Sequence, residues 1–183
     1  MKRLIEDAIS NGYNFIFEGT MGKSAGIIDQ LVNSTIKYNV IARLMAVSRE
    51  ESLLSIFERF LEMKKSMGIG RLTSIKAHDV RYEGFQSIAN TLEGKGIEVE
   101  VYERGVTAFE PRMIYKTSLS NNKYNSVNDA ILYGREKSRK ICMRNAQERL
   151  ETINKEIYSF YGENAEILAQ LDCLNAIINT ELK

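Results

Sequence analysis

The sequence has little that would punctuate or cross-link a chain. It contains one proline, Pro111, and no Gly/Ser-rich tract, low-complexity segment or internal repeat, so nothing in it reads as an interdomain linker. Its cysteines, Cys142 and Cys173, are isolated, and His78 is the only histidine. This excludes a disulfide framework and a zinc site built from protein ligands, and no metal-binding residue is assigned. The longest apolar stretches, such as Val40 to Val47 broken by Arg43, fall far short of the roughly 20 residues that cross a bilayer. Acidic residues stand near the N-terminus where a signal peptide would carry its apolar run, so a cytoplasmic location is expected. An excess of one charge is lacking too. Lys plus Arg is 25 against Asp plus Glu 24, a net charge of +1, which argues against nucleic acid or an anionic membrane as partner. Any charged ligand must therefore be held by a local site.

What is present is enough apolar material, 44% of 183 residues, for a real core in one domain or one domain with a helical appendage. Leu4, Ile5, Ala8 and Ile9 recur at helical spacing up to Gly12, which predicts a short opening helix over residues 2–11. Tyr13 to Phe17 reads as a buried strand ending in the polar turn Glu18-Gly19-Thr20-Met21-Gly22. A helix from Lys23 to about Tyr38 and a second strand over residues 40–47 complete a β-α-β unit. Ser48-Arg49-Glu50-Glu51 fits a capping box, so a helix starts at about Arg49 and fades at Gly68-Ile69-Gly70. Thr73 or Ser74 caps the next helix, which stops at Gly94 and Gly96. Residues 97–102 alternate as a third strand, and Met113 to Lys116 has the makings of a short one. The pattern is helical from Ser126 to about Tyr161 and from Asn164 to Leu182. Strands alternating with helices predict an α/β fold, a parallel sheet with helices on both faces. The expected organisation is an α/β core over 1–125 and a helical extension over 126–183 packed on the same domain.

In such sheets ligands bind beyond the carboxyl ends of the strands, which is where the Glu18-Gly19-Thr20 turn is expected. Gly22-Lys23-Ser24 invites comparison with the phosphate loop Gly-x4-Gly-Lys-Ser/Thr, but five residues before Gly22 stands Phe17, and the loop is too short to wrap a phosphate chain. Arg59, on the helix after the second strand, and Arg71, just past the glycine break, would together clamp a triphosphate and neutralise charge as a phosphoryl group moves; spacing alone fits solvated arginines equally. His78 beside Asp79 reads as a helix-surface histidine without a nucleophile partner. Six basic residues from Arg135 to Arg149 read as a solvated helix face, with nucleic acid or an acidic protein partner as the other readings.

The ordered set Asn14-Phe15-Ile16-Phe17-Glu18-Gly19-Thr20, Phe57-Glu58-Arg59-Phe60, Arg71-Leu72-Thr73-Ser74-Ile75-Lys76-Ala77-His78-Asp79 and Tyr102-Glu103-Arg104 resembles the zeta toxin family. These are P-loop kinases of toxin-antitoxin systems that phosphorylate UDP-N-acetylglucosamine and related UDP-amino sugars. The resemblance covers residues 2–104 and, more loosely, the helix from Ser126 to about Glu156. It implies a P-loop kinase type of sheet, Glu18 and Thr20 lining the sugar-nucleotide pocket, and Arg59 and Arg71 binding the nucleotide phosphates and stabilising the transferring group. It also implies a structural role for His78 and Asp79, and ATP with Mg²⁺ as the cofactors of the full-length family. An antitoxin protein is the partner it brings. Met21-Gly22 departs from the family, which commonly carries an arginine soon after the turn. The phosphate loop and the carboxylate base on the sugar hydroxyl have no counterpart here, so this chain alone is expected to be inactive and to bind ATP and Mg²⁺ poorly. A missing N-terminal segment would leave an apolar gap on the sheet, with homodimerisation as one consequence. The alternative is a non-catalytic interaction protein that keeps the fold to bind an antitoxin-like or other protein; a P-loop kinase relative with another small substrate is the third reading.

Overall fold

A computed structural model gives the structure and describes residues 2–19, 29, 32, 33, 38–104 and 110–182. Among these lie α1 (Lys2–Asn11), β1 (Ile41–Ala46), α2 (Arg49–Met67), α3 (Ile75–Gly94), β2 (Glu98–Glu103), β3 (Arg112–Lys116), α4 (Val127–Cys142), α5 (Ala146–Tyr161) and α6 (Ala165–Glu181). The protein is α/β. β1 and β2 run parallel with Leu44 opposite Val101, and β3 joins β2 antiparallel, so the sheet is mixed, in the order β1-β2-β3. A parallel pair needs a crossover, and α2 and α3 supply it.

The β1–β2 register places Ala42, Leu44, Ala46, Val99 and Val101 on one face, where they are buried against Ala89 and Leu92 of α3 and Ala130 and Ile131 of α4. α4 crosses closely at the carboxyl end of β1, because a Cβ at Gly134 would lie 2.6 Å from that of Ala46. The opposite face carries a charged ladder. There Glu100 accepts from Arg43 Nε at 3.0 Å, Tyr102 hydroxyl at 2.8 Å and Lys116 Nζ at 3.0 Å. Ile41, Met45 and Met113 stay partly exposed beside it. A second core joins α2 to α5 and α6 through Leu53, Leu54, Phe57, Leu61, Ile153, Ile157, Leu171 and Leu174. Each such fully buried side chain stabilises the fold by about 1.5–3 kcal/mol.

Helix ends follow local chemistry. The Oγ atoms of Ser48, Ser74 and Ser126 and the side chain of Asn164 each accept from the backbone N–H three residues on. Gly68 closes α2 at φ 73°, a left-handed conformation that glycine adopts without strain. Two expectations need correction. Tyr13 to Phe17 is not a strand: the segment is irregular, pairs with no strand among the described residues, and Tyr13, Asn14, Phe15 and Ile16 are exposed. A ring contact holds it instead, Phe15 edge-on to Tyr38, whose hydroxyl donates to the Ile9 carbonyl at 3.1 Å. The single helix expected from Ser126 to Tyr161 is two, broken at residues 143–145, where Asn145 starts α5 without a side-chain cap. Of the helix expected over 23–38, residues 29, 32 and 33 are described and helical, while Gly22-Lys23-Ser24 lies outside the described residues. No helix among the described residues is long and apolar enough to cross a membrane.

Candidate phosphate-binding site

The carboxyl ends of β1 and β2 open onto the first turns of α2 and α3, where polar side chains interlock. Arg49 forks onto Asp79, Nε to Oδ1 at 2.9 Å and Nη2 to Oδ2 at 2.7 Å. His78 is buried, contrary to the surface position expected for it: Nδ1 lies 3.0 Å from Asp79 Oδ1 and Nε2 2.9 Å from Ser52 Oγ. Because a carboxylate only accepts, Nδ1 carries the proton, and in the neutral ring the Ser52 hydroxyl donates to Nε2. The bond from Arg49 holds the Asp79 carboxyl below the usual carboxylate range, against the opposing pull of burial. Tyr82 stacks on the His78 ring, donates to the Val47 carbonyl at 3.3 Å, and has the Arg135 guanidinium 3.8 Å from its own ring centroid. His78 and Asp79 therefore tie α3 to α2, and every polar atom of the imidazole is committed.

Within the same first turn of α2, Glu51 collects a second network. Its Oε1 accepts from Arg104, at the end of β2, and from Ser55 Oγ at 3.0 Å; its Oε2 accepts from Arg149 Nη1 at 2.6 Å. Arg149 also forks onto Glu58, Nε to Oε1 and Nη2 to Oε2 at 2.7 Å each. Burial alone would raise the Glu51 pKa, but the bonds from Arg149 and Ser55 and the charge of Arg104 bring it below its ordinary value.

Against this background Arg59 and Arg71 stand apart. Both are exposed, and neither has a hydrogen bond or ion pair among the described residues. The loop after α2 doubles back on it, so closely that a Cβ at Gly70 would lie 2.7 Å from the Phe60 carbonyl oxygen and 2.8 Å from its ring. This lays the backbone of Arg71 beside the turn of α2 that carries Arg59. Arg59 is ten residues past the start of α2, about 15 Å along the helix from the sheet edge at 1.5 Å per residue. Glu18 is exposed in the coil after Phe17 and makes no hydrogen bond or ion pair with either arginine; Thr20 lies outside the described residues. No group of acidic, His or Cys side chains among the described residues is arranged to hold a metal ion.

The basic stretch from Arg135 to Arg149 spans two helices and is not one solvated face. Lys137 pairs with Glu103 at 2.8 Å, Arg139 with Glu181 at 2.7 Å, and Lys140 with Glu136 at 3.4 Å, while Arg135 stacks on Tyr82. Arg149, read from sequence as part of that face, is an internal tether. Its partners lie 91 and 98 residues away, so no local pattern reveals it.

Family comparison closes on the same segment. The profile described as Zeta toxin matches residues 1–137 of the 183. The chain belongs to the zeta toxin family. The matched span runs from α1 into α4; it holds Glu18, Arg59, Arg71, His78, Asp79 and Arg104 and ends before α5. Membership points to a kinase-like toxin function. No curated protein matches the chain.

Proposed function

We propose that Arg59 and Arg71 hold the phosphates of a nucleoside triphosphate in a zeta-toxin-like kinase whose acceptor is a UDP-amino sugar such as UDP-N-acetylglucosamine. The observation that carries this reading is selective commitment. Arg49, Arg104 and Arg149 around the same helix are each engaged by a carboxylate, whereas Arg59 and Arg71, whose backbone segments approach at the Gly70–Phe60 contact, have no carboxylate partner among the described residues. Two exposed guanidiniums without carboxylates among the described residues, carried by backbone segments that approach each other at Gly70 and Phe60, suit a polyanion, whose oxygens accept charge-assisted bonds from planar donor forks. In phosphoryl transfer such a pair offsets charge on the transferring group, and positioning with charge stabilisation supplies nearly all the catalysis.

The triphosphate of ATP fits this cation pair. Mg²⁺ has no fitting ligand cluster among the described residues. Glu18 and Thr20 belong, on this reading, to the sugar-nucleotide side. The 183 residues contain no Gly-x4-Gly-Lys-Ser/Thr, so backbone amides for the β-phosphate are not supplied by that motif, and this chain alone is expected not to turn over.

The test is calorimetric titration of the chain with ATP, followed by an assay for phosphate transfer to UDP-N-acetylglucosamine. Arg59→Ala and Arg71→Ala should each weaken ATP binding by about 10- to 100-fold, the worth of a charge-assisted bond of ~1.5–3 kcal/mol. Both variants should keep the wild-type unfolding temperature, because neither side chain is packed. Unchanged affinity in both would overturn the assignment.

A further inference from the structure

The network beside Arg59 is balanced in charge. Glu51 and Glu58 contribute two negative charges, Arg104 and Arg149 two positive ones, and all four are linked: Arg104 to Glu51, Glu51 to Arg149, Arg149 to Glu58. The Arg149 side chain is only 18% exposed and that of Glu51 14%, so their interaction is weakly screened by water. Although burial alone would lower the Arg149 pKa, the bonds from Glu58 and Glu51 raise it, and its charge is permanent. Glu58 immediately precedes Arg59. Adjacent helical positions diverge, and the fork keeps the Glu58 carboxylate on the α5 side of the helix, away from the arginine. The cation that does this sits on α5, beyond the segment that the family profile matches.

We propose that Arg149 is a positioning residue for the phosphate site: it neutralises and holds Glu58, and through this the C-terminal helices set the affinity of Arg59 for a polyphosphate. The inference rests on the reading of Arg59 given above. Removing the Arg149 charge leaves the network one charge negative, with an unpaired carboxylate next to the anion site; removing the Glu58 charge leaves it one charge positive. The two changes therefore act in opposite directions on anion affinity and cancel when combined, which mere loss of packing would not produce.

The experiment is titration of the full chain with inorganic tripolyphosphate at low ionic strength, below the unfolding temperature of every variant. R149Q is expected to weaken binding about tenfold, E58Q to tighten it two- to threefold, and E58Q/R149Q to return within about twofold of wild type. R149K, which keeps the charge and loses the fork, is expected to retain most of the affinity, and all differences should shrink as salt is added. Should R149Q not fold, E58Q and the double variant still decide. An E58Q protein that binds no tighter than wild type, or a double variant as weak as R149Q, overturns the inference. An R59A protein that binds tripolyphosphate as well as wild type overturns instead the phosphate reading beneath it.

Discussion

At the scale of single residues, the same side chain does different work according to what surrounds it. Arg49, Arg104 and Arg149 are spent on carboxylates, while Arg59 and Arg71 have none among the described residues, and only the second kind can greet an incoming anion without first breaking a bond. The two cysteines divide in a similar way. Burial, reinforced by the charge of Glu51, pushes the Cys142 thiol up to about 12, so little thiolate forms near neutral pH, while Cys173 is exposed on α6. Treatment of the native protein with a thiol reagent should label Cys173 alone, and mass spectrometry should find Cys142 modified only after denaturation. Prompt native labelling of Cys142 would contradict the packing of α4 against α2.

At the scale of elements, the decisive contact is between a loop and a helix. Gly70 lies against a helix backbone that cannot yield, so Gly70→Ala must push the loop away from Phe60. It should cost about 1–3 kcal/mol of stability as overpacking does, and weaken ATP binding because Arg71 moves with the loop. Denaturant melts read beside calorimetry check both, and an alanine variant with wild-type affinity would show that the loop does not set the site. Much at this scale was legible in the sequence. Capping serines, the Gly68 stop and the alternation of residues 97–102 report local requirements, and local requirements are what periodicity encodes. Tyr13 to Phe17 misled for the same reason: its composition suits a strand, but a strand also needs a partner edge, which no composition supplies. The break at residues 143–145 carries neither glycine nor proline, and the Arg149 tether depends on groups far away in the chain. The candidate site divides likewise: Arg59 and Arg71 stand out in the sequence only through an ordered set of motifs, and their freedom from carboxylates emerges only once the fold has paired the others.

For the whole molecule, charge that is buried and paired makes stability depend on pH. Asp79 and Glu51 both have pKa values below their ordinary ones, Asp79 through the bond from Arg49 and Glu51 because Arg149, Ser55 and Arg104 outweigh burial. A folded-state pKa below the unfolded one gives stability that is fully present above the unfolded value, about 4, and lost as the pH falls through the folded values. Urea midpoints should therefore be level from pH 7 to about pH 5 and decline below it, and Glu51→Gln should flatten that decline while lowering the plateau. A Glu51→Gln protein with an unaltered acid limb would remove Glu51 from this account. Of the ties that titrate there, Glu51 to Arg149 joins the matched α/β segment to α5, so acid should loosen the contact between α2 and α5.

The most direct test of the central claim is to observe the guanidiniums themselves. In the arginine Nε–Hε region of a ¹⁵N-correlated NMR spectrum, assigned by single substitutions, the chain is titrated with ATP. The signals of Arg59 and Arg71 should shift together along one saturating curve, while those of Arg49 and Arg149, already engaged by carboxylates, stay in place. Saturable shifts confined to other arginines, or no shift at Arg59 and Arg71 at any ATP concentration, would contradict the assignment of these two residues as the phosphate site.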